Sequence, residues 1–381
     1  MSNGKTFRML AINPGSTSTK IALFENEKKL FGTEVVHDAA ELRKCAEIAD
    51  QFPLRRDTVV RAMADAGYRL DGVRSGSIDA FVGRGGGCVA CAGGTYSVND
   101  LMLSDAGSGR YAKHPANFGS ILASEFAREF GGKAFVVDPP SVDEMDDVAR
   151  VTGIAGVYRH SRFHALNQKE AAIRAAAELG KSYADVNVVV AHVGGGSSVS
   201  AHRRGRVVDT TDLVDGEGPM APTRCGNVPP GAVSGLCFSG EYAPSDISNL
   251  IFKNGGMENL LGTSDVREAK RMAEAGDEYA KLVQEAMAYQ VGKYVGMFAA
   301  ALRGDVDAVV LTGGVVRDTE FTEMVRSMVG FIAPVKVYGG EFEMEALANG
   351  ALRVLRDEEK PKEYTGIPVW TDFKHLRRVT K

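Results

Sequence analysis

The chain has 381 residues, too many for one ordinary hydrophobic core, so two domains are expected. With 44% hydrophobic and 25% charged residues, a net charge of −4 and no long Lys/Arg run, it reads as a globular protein that binds neither nucleic acid nor a membrane surface. Five cysteines, an odd number in a long chain, argue against a disulfide framework and for a reducing cytoplasm.

In chain order, strands are expected near 7–13, 18–24 and 30–37, helices near 40–51 and 54–67, and a strand near 78–82 that runs into Arg84-Gly85-Gly86-Gly87. His114-Pro115-Ala116-Asn117 opens a helix near 115–130, closed by Gly131-Gly132. A strand, Ala134 to Asp138, stops at Pro139-Pro140, and a helix near 165–180 follows. The second half gives helices near 230–238, 244–253, 264–275 and 277–303. A strand at 308–312, a helix near 319–329, a strand near 334–338 and a helix at 343–356 complete it. The most apolar stretch of the long helix, 286–302, is broken by Lys293 and is too short to cross a bilayer. The last 25 residues are polar and are expected to drape over the surface. Each half is thus a hairpin-led mixed sheet with helices, an α/β arrangement.

Two turns carry the chemistry. Asn13-Pro14-Gly15-Ser16-Thr17-Ser18-Thr19-Lys20 offers an amide, four hydroxyls and an ammonium after a short apolar strand. His192-Val193-Gly194-Gly195-Gly196-Ser197-Ser198 repeats the plan, and each runs on through an alternating strand to a basic turn (Glu27-Lys28-Lys29; Arg203-Arg204-Gly205-Arg206). Backbone N–H groups and hydroxyls in such turns replace the hydration of a phosphoryl group. The repetition suggests a duplication and an enzyme that passes a phosphoryl group between two anion grips. Gly makes up 44 residues, roughly 12% against a usual share of about 7%, and the excess sits in clusters at 85–87, 93–94, 194–196, 313–314 and 339–340, where backbone must turn or approach a ligand.

Arg84, His164 and Arg224 stand at element ends and suit oxyanions or a planar carboxylate; a surface salt bridge is the plain alternative for each. Asp138 ends a strand where a Mg²⁺ ligand could sit, and one of Glu341, Glu343 and Glu345, with Glu343 the choice, could help hold the metal. Asp143, Glu144, Asp146 and Asp147 suit a helix N-terminus. Gly180-Lys181-Ser182 imitates the end of a Walker A loop, but position 175 is Ala, so Gly180 reads as a helix C′ glycine. No GxSxG elbow is present. Cys88 and Cys91 have CxxC spacing with no second pair, and read as structural.

These segments together resemble the acetate and butyrate kinase family of the sugar kinase, Hsp70 and actin superfold. The matching stretches are Ile12 to Lys20, Ala112 to Asn117, Phe163 to Lys169, Asp215 to Pro219, Leu311 to Gly314 and Glu343 to Ala348. The resemblance implies two duplicated ribonuclease H-like domains of mixed sheets flanked by helices, with the active site in the interdomain cleft. Residues 1–139 with 345–381 would form the acyl side, and 140–344 the nucleotide side. It implies ATP/ADP and Mg²⁺ as cofactors, and reversible phosphorylation of a short-chain fatty acid such as butyrate to its acyl phosphate. A cytoplasmic homo-oligomer is implied as well.

By matched position, Asn13, Ser16, Ser18 and Lys20 resemble the first phosphate turn, and His192, Gly194, Gly195, Gly196 and Ser197 the second. Asp265 and Arg267 resemble adenosine-side contacts and Gly313-Gly314 the adenosine-motif turn. Arg84, His164 and Arg224 resemble the catalytic trio, with Asp138 and Glu343 as magnesium partners. Two departures stand out: Gly194-Gly195-Gly196 replaces the Gly-Asn-Gly of acetate kinases, and Thr223-Arg224 replaces a Glu-Arg common in the butyrate branch. Acetate, propionate or a branched acid therefore remains open as acceptor, as does a non-metabolic Hsp70- or actin-like ATPase.

Overall fold

The computed structural model describes residues 5–45, 47–71 and 77–376. It divides into two compact units, Met1–Asp143 with Phe342–Lys381, and Glu144–Glu341. The lines fall a few residues from those drawn on the sequence, at 139/140 and 344/345, and Glu343 therefore belongs with the first unit.

The first unit is built on β1 (Arg8–Pro14), β2 (Ser18–Glu25), β3 (Lys28–Val36), β4 (Ala80–Gly83), β5 (Thr95–Ser97) and β6 (Lys133–Val137). β1, β2 and β3 form an antiparallel meander, and β4 and then β6 add in parallel beside β1. β5 runs antiparallel to β6 and carries the short strand Lys362–Glu363 at its edge. The second unit repeats the plan with β7 (Asn187–Val193), β8 (Ser197–Arg203), β9 (Arg206–Thr210), β10 (Ala308–Gly313) and β11 (Val335–Gly339), in the order β11-β10-β7-β8-β9. Its meander is antiparallel, and β10 and β11 join in parallel. The duplicated mixed sheets expected from the sequence are both present.

Burial on both faces explains the composition of the inner strands. β7 is buried at every position and reads Asn-Val-Val-Val-Ala-His-Val, as a strand covered on two sides must. One face packs on Val283, Met287, Val291 and Phe298 of helix Glu278–Ala301, the other on Ala171, Ala172, Ala175 and Ala176 of helix Ala165–Glu178. In the first unit Leu10, Ile12, Ile21 and Leu23 meet Val59, Leu122 and Phe126 in the same way. Gly180 follows the C-cap of helix Ala165–Glu178 at φ +70°, as a helix-ending glycine should.

Several expectations need correction. The helix expected near 40–51 is a short helix, Ala39–Lys44, followed by a 3₁₀ turn, Ile48–Gln51. The helix expected from 115 starts with a 3₁₀ turn, Pro115–Asn117, before Phe118–Phe130. Of the acidic run, Asp146 and Asp147 begin a helix of four residues, whereas Glu144 pairs with Lys169 at 3.2 Å. Strand β5 and helices Asp100–Ser108 and Gly256–Leu261 were not anticipated. Cys88 and Cys91 are free and buried, and burial pushes the Cys88 thiol up to about 12.

The C-terminal segment does not merely drape. After the strand Lys362–Glu363, Tyr364 is 2% exposed; its hydroxyl donates to Asp105 at 2.8 Å and accepts from the Val89 N–H at 3.0 Å. One buried aromatic among polar neighbours left no periodic signal to read. Tyr364→Phe leaves a carboxylate oxygen and a buried amide unpaired, and should cost about 1–3 kcal/mol in equilibrium denaturation.

Candidate functional site

In the first unit, the parallel strands deliver their functional residues at their C-terminal ends. Asn13 lies near the end of β1; Arg84 follows β4, its N–H donating to the Ile12 carbonyl at 2.9 Å. Glu343 opens helix Glu343–Leu355. Asn13 Nδ2 donates to Glu343 Oε2 at 2.7 Å, and the Arg84 guanidinium pairs with Glu343 Oε1. The first glycine turn is closed by the Gly15 N–H donating to the Ser18 carbonyl at 2.8 Å. Lys20 lies directly across from Asn13 in the antiparallel register, so both side chains share a face. Ser16 Oγ is 3.5 Å from His114 Nε2, whereas the Ser18 hydroxyl donates to Glu34 at 2.6 Å, away from a free anion's needs.

Asp138 follows β6 at φ +38°, a conformation that costs energy for a non-glycine residue. It is held there by two bonds to Gly94, whose N–H donates to Asp138 Oδ1 at 2.7 Å and whose carbonyl accepts from the Asp138 N–H at 3.1 Å. Mg²⁺ keeps several waters and takes one or two carboxylates alongside phosphate oxygens. No cluster of three His, Cys, Asp or Glu occurs among the described residues, and both Glu343 oxygens are already engaged, by Asn13 and by Arg84. A cavity of about 360 Å³ with largely apolar walls, including Phe52, Ala106 and Phe118, borders His114.

In the second unit the turn Gly194–Gly196 joins β7 to β8. A Cβ on Gly196 would come within 3.0 Å of Arg224 Nε, so the missing side chain lets the guanidinium lie across the turn. Arg224 Nη1 donates to the Leu213 carbonyl at 2.7 Å, and burial lowers the pKa of this guanidinium. Thr223 ties the Gly195 carbonyl through its N–H at 3.2 Å and its hydroxyl at 2.8 Å. The His164 and His192 rings stack with centroids 4.0 Å apart. His192 Nδ1 lies 3.0 Å from Asn167 Oδ1, an oxygen that also accepts from the Thr312 hydroxyl at 3.0 Å.

Gly313 sits at φ +98° against the Val193 backbone, where a Cβ would collide with the carbonyl, so β10 can approach β7 only with glycine there. Next to it opens a cavity of about 600 Å³, lined by Gly194, Gly195, Asp265, Arg267, Gly314 and Arg317 among others. The paired bonds from Arg267 to Asp265, at 3.0 and 2.8 Å, hold that carboxyl down at about 2.

Comparison with known proteins supplies the family. The acetokinase family pattern matches residues 151–361. Butyrate kinase 2 of Clostridium acetobutylicum is 45% identical over 94% of this chain and 99% of its own length. This chain belongs to the acetokinase family. Two solved structures share its fold. Porphyromonas gingivalis acetate kinase has a TM-score of 0.74 at 22% identity, covering 92% of this chain and all of its own. A propionate kinase from Francisella tularensis subsp. tularensis SCHU S4 has a TM-score of 0.69 at 19% identity, covering 90% and 98%.

The chain thus gathers Asn13, Arg84 and Glu343 in one unit, and His164, His192, Gly194–Gly196, Ser197 and Arg224 in the other, with Asp265, Arg267, Gly313 and Gly314 at or beside the larger cavity. Sequence reasoning missed Arg317 and, more seriously, Arg55. Arg55 is fully buried on helix Phe52–Asp65 beneath the first turn. Its Nη1 donates to the Ser18 carbonyl and the Thr19 hydroxyl at 3.1 Å, and its Nη2 to the Ser16 carbonyl at 3.4 Å. Its remaining bonds go to Gln51, at 3.2 and 3.0 Å, so every partner is a neutral oxygen, and burial brings the guanidinium down to about 10. Arg55→Met strips those acceptors of their donor, and should cost about 2–4 kcal/mol in chemical denaturation. An unchanged midpoint would show that the turn stands without it.

Proposed function

We propose that this protein transfers the γ-phosphoryl group of ATP to the carboxylate of a short-chain fatty acid, with butyrate as the acceptor, and runs the reaction in reverse to make ATP. The observation that carries the reading is Arg224 laid across a glycine turn beside a cavity of about 600 Å³. Such a turn offers N–H groups to phosphates, and the cavity has room for a nucleoside. The 45% identity to a butyrate kinase over nearly the whole chain supports butyrate as acceptor. So does the apolar cavity beside His114 in the first unit, which suits a hydrocarbon tail.

The chemistry requires little from a base. A carboxylic acid with pKa of about 4–5 is already ionised at neutral pH, so its oxygen attacks γ-phosphorus directly while the bond to the β-phosphate oxygen breaks and ADP leaves. What the protein must supply is alignment and relief of repulsion between two anions. Arg84 orients the carboxylate, offering two parallel donors once substrate replaces Glu343 as its partner. Arg224 and His164 meet the equatorial oxygens of the phosphoryl group in transit. Asn13, Ser16 and Lys20 of the first turn hold that group, and Gly194 to Ser197 hold the ATP phosphates. Asp265, Arg267, Gly313 and Gly314 take the adenosine side.

Asp138 and Glu343 would hold Mg²⁺, which would supply charge neutralisation at the nucleotide's phosphates. The first unit is then the acyl side and the second the nucleotide side. A cytoplasmic homo-oligomer belongs to the same reading and is supported by the family alone. Among the described residues no helix is long and apolar enough to cross a membrane.

The test is hydroxamate trapping of acyl phosphate with ATP, Mg²⁺ and straight or branched acids of two to six carbons. Butyrate is expected to give the highest kcat/KM; a higher value for acetate, propionate or isobutyrate would reassign the acceptor. Arg84→Ala should chiefly raise KM for the acid, and Arg224→Ala should chiefly lower kcat, by about 100-fold or more. Equal and negligible effects of both would contradict these roles.

A further inference from the structure

Behind His164 runs a series of polar side chains that phosphate gripping does not use. Tyr183 Oη is 2.8 Å from His202 Nδ1, and His202 Nε2 is 3.3 Å from Gln168 Oε1. Gln168 Nε2 is 2.8 Å from Ser198 Oγ, which is in turn 2.7 Å from His164 Nδ1. Gln168, Ser198 and His202 are each sealed from solvent, so the protein itself must satisfy them.

The direction of every bond follows from the middle outward. Gln168 Nε2 is also 3.1 Å from the Ser198 carbonyl oxygen. A flipped amide would set oxygen against oxygen there, so Nε2 faces Ser198 and Oε1 faces His202. An amide oxygen only accepts, and His202 must donate to it from Nε2. Burial, with the Lys169 charge acting in the same sense, pushes His202 down to about 3 and keeps it neutral. Its Nδ1 is then bare and takes the Tyr183 proton. Ser198 Oγ accepts from Gln168 at 2.8 Å and from the His164 backbone N–H at 3.4 Å, which occupies both lone pairs of a hydroxyl. Its own proton goes to His164 Nδ1.

We propose that Tyr183, His202, Gln168 and Ser198 form a one-way donor chain that keeps the proton of His164 on Nε2. These four are positioning residues; only His164 meets the reacting phosphoryl group. Nδ1 is closed to proton transfer, and the ring presents a fixed N–H donor whose strength is raised by the aligned bonds behind it. His192, stacked on the same ring, is held separately through Asn167 and Thr312. The meaning for catalysis rests on the function proposed above, but the tautomer itself does not.

Long-range ¹H–¹⁵N NMR of the full chain labelled with ¹⁵N-histidine reads the tautomer of each ring, with His164→Gln assigning the resonance. His164 is expected as the Nε2-protonated form; an Nδ1-protonated ring, or an even mixture, would overturn the proposal without needing any variant to fold. Ser198→Ala should release the tautomer and lower kcat about tenfold with KM for ADP little changed, while Ser198→Thr, which keeps the hydroxyl, should restore both. A Ser198→Ala protein that keeps the pure Nε2 form would also overturn it. Should the wild-type protein make no acyl phosphate yet show this tautomer, the functional reading fails and the donor chain stands.

Discussion

A carboxylate and the end of ATP are both anions, and bringing them together is the constraint that shapes this chain. The protein answers with positive charge and donors that are not already neutralised. Arg55 is buried with only neutral oxygens as hydrogen-bond partners, and Arg224 donates to a backbone carbonyl. Desolvated charge of this kind is costly for the free protein, because water no longer screens it and no carboxylate balances it. The same charge becomes favourable when an oxyanion arrives. Arg84 behaves differently: its guanidinium is already paired with the Glu343 carboxylate.

The duplicated fold makes this arrangement possible twice. In each unit an antiparallel hairpin meets a parallel strand, so the hairpin turn and the parallel strand's C-terminal end fall side by side. That places Asn13 beside Arg84 in one unit and His192 beside Thr312 in the other. Both turns rely on support from beneath, by different means. A buried guanidinium carries the first, and Thr223 with the His192–Asn167–Thr312 bonds carries the second. The common plan visible in strand order therefore does not extend to the side chains that stiffen the turns.

Much of this was legible in the sequence because backbone demands leave strong marks. Apolar runs ended by glycine, the repeated hairpin plan and the cationic residues at element ends located both sheets and most of the residues of the candidate site. What stayed hidden was polar and buried. Arg55 sits beside Arg56, which makes surface ion pairs with Glu125 and Glu129, and nothing local tells the two apart. Ser198, Ser200 and His202 alternate along β8 as a solvated face would, yet helix Ala165–Glu178 covers that face and turns it into an internal network. Tyr364 was invisible for another reason: Glu363 and Thr365 flank it, and no alternating run marks it as buried. Periodicity reports burial only when burial is apolar.

The most direct measurement of the central claim follows oxygen atoms. Butyrate labelled with ¹⁸O in its carboxyl group is incubated with the protein, ATP and Mg²⁺, and the products are separated for mass spectrometry. Attack of the carboxylate on the γ-phosphorus places ¹⁸O in the bridge of butyryl phosphate and leaves ADP unlabelled. Labelled butyryl adenylate with pyrophosphate would mean that the acid attacks the α-phosphorus instead, and ADP with inorganic phosphate but no anhydride would mean that water is the acceptor; either result contradicts direct transfer of the γ-phosphoryl group to the carboxylate.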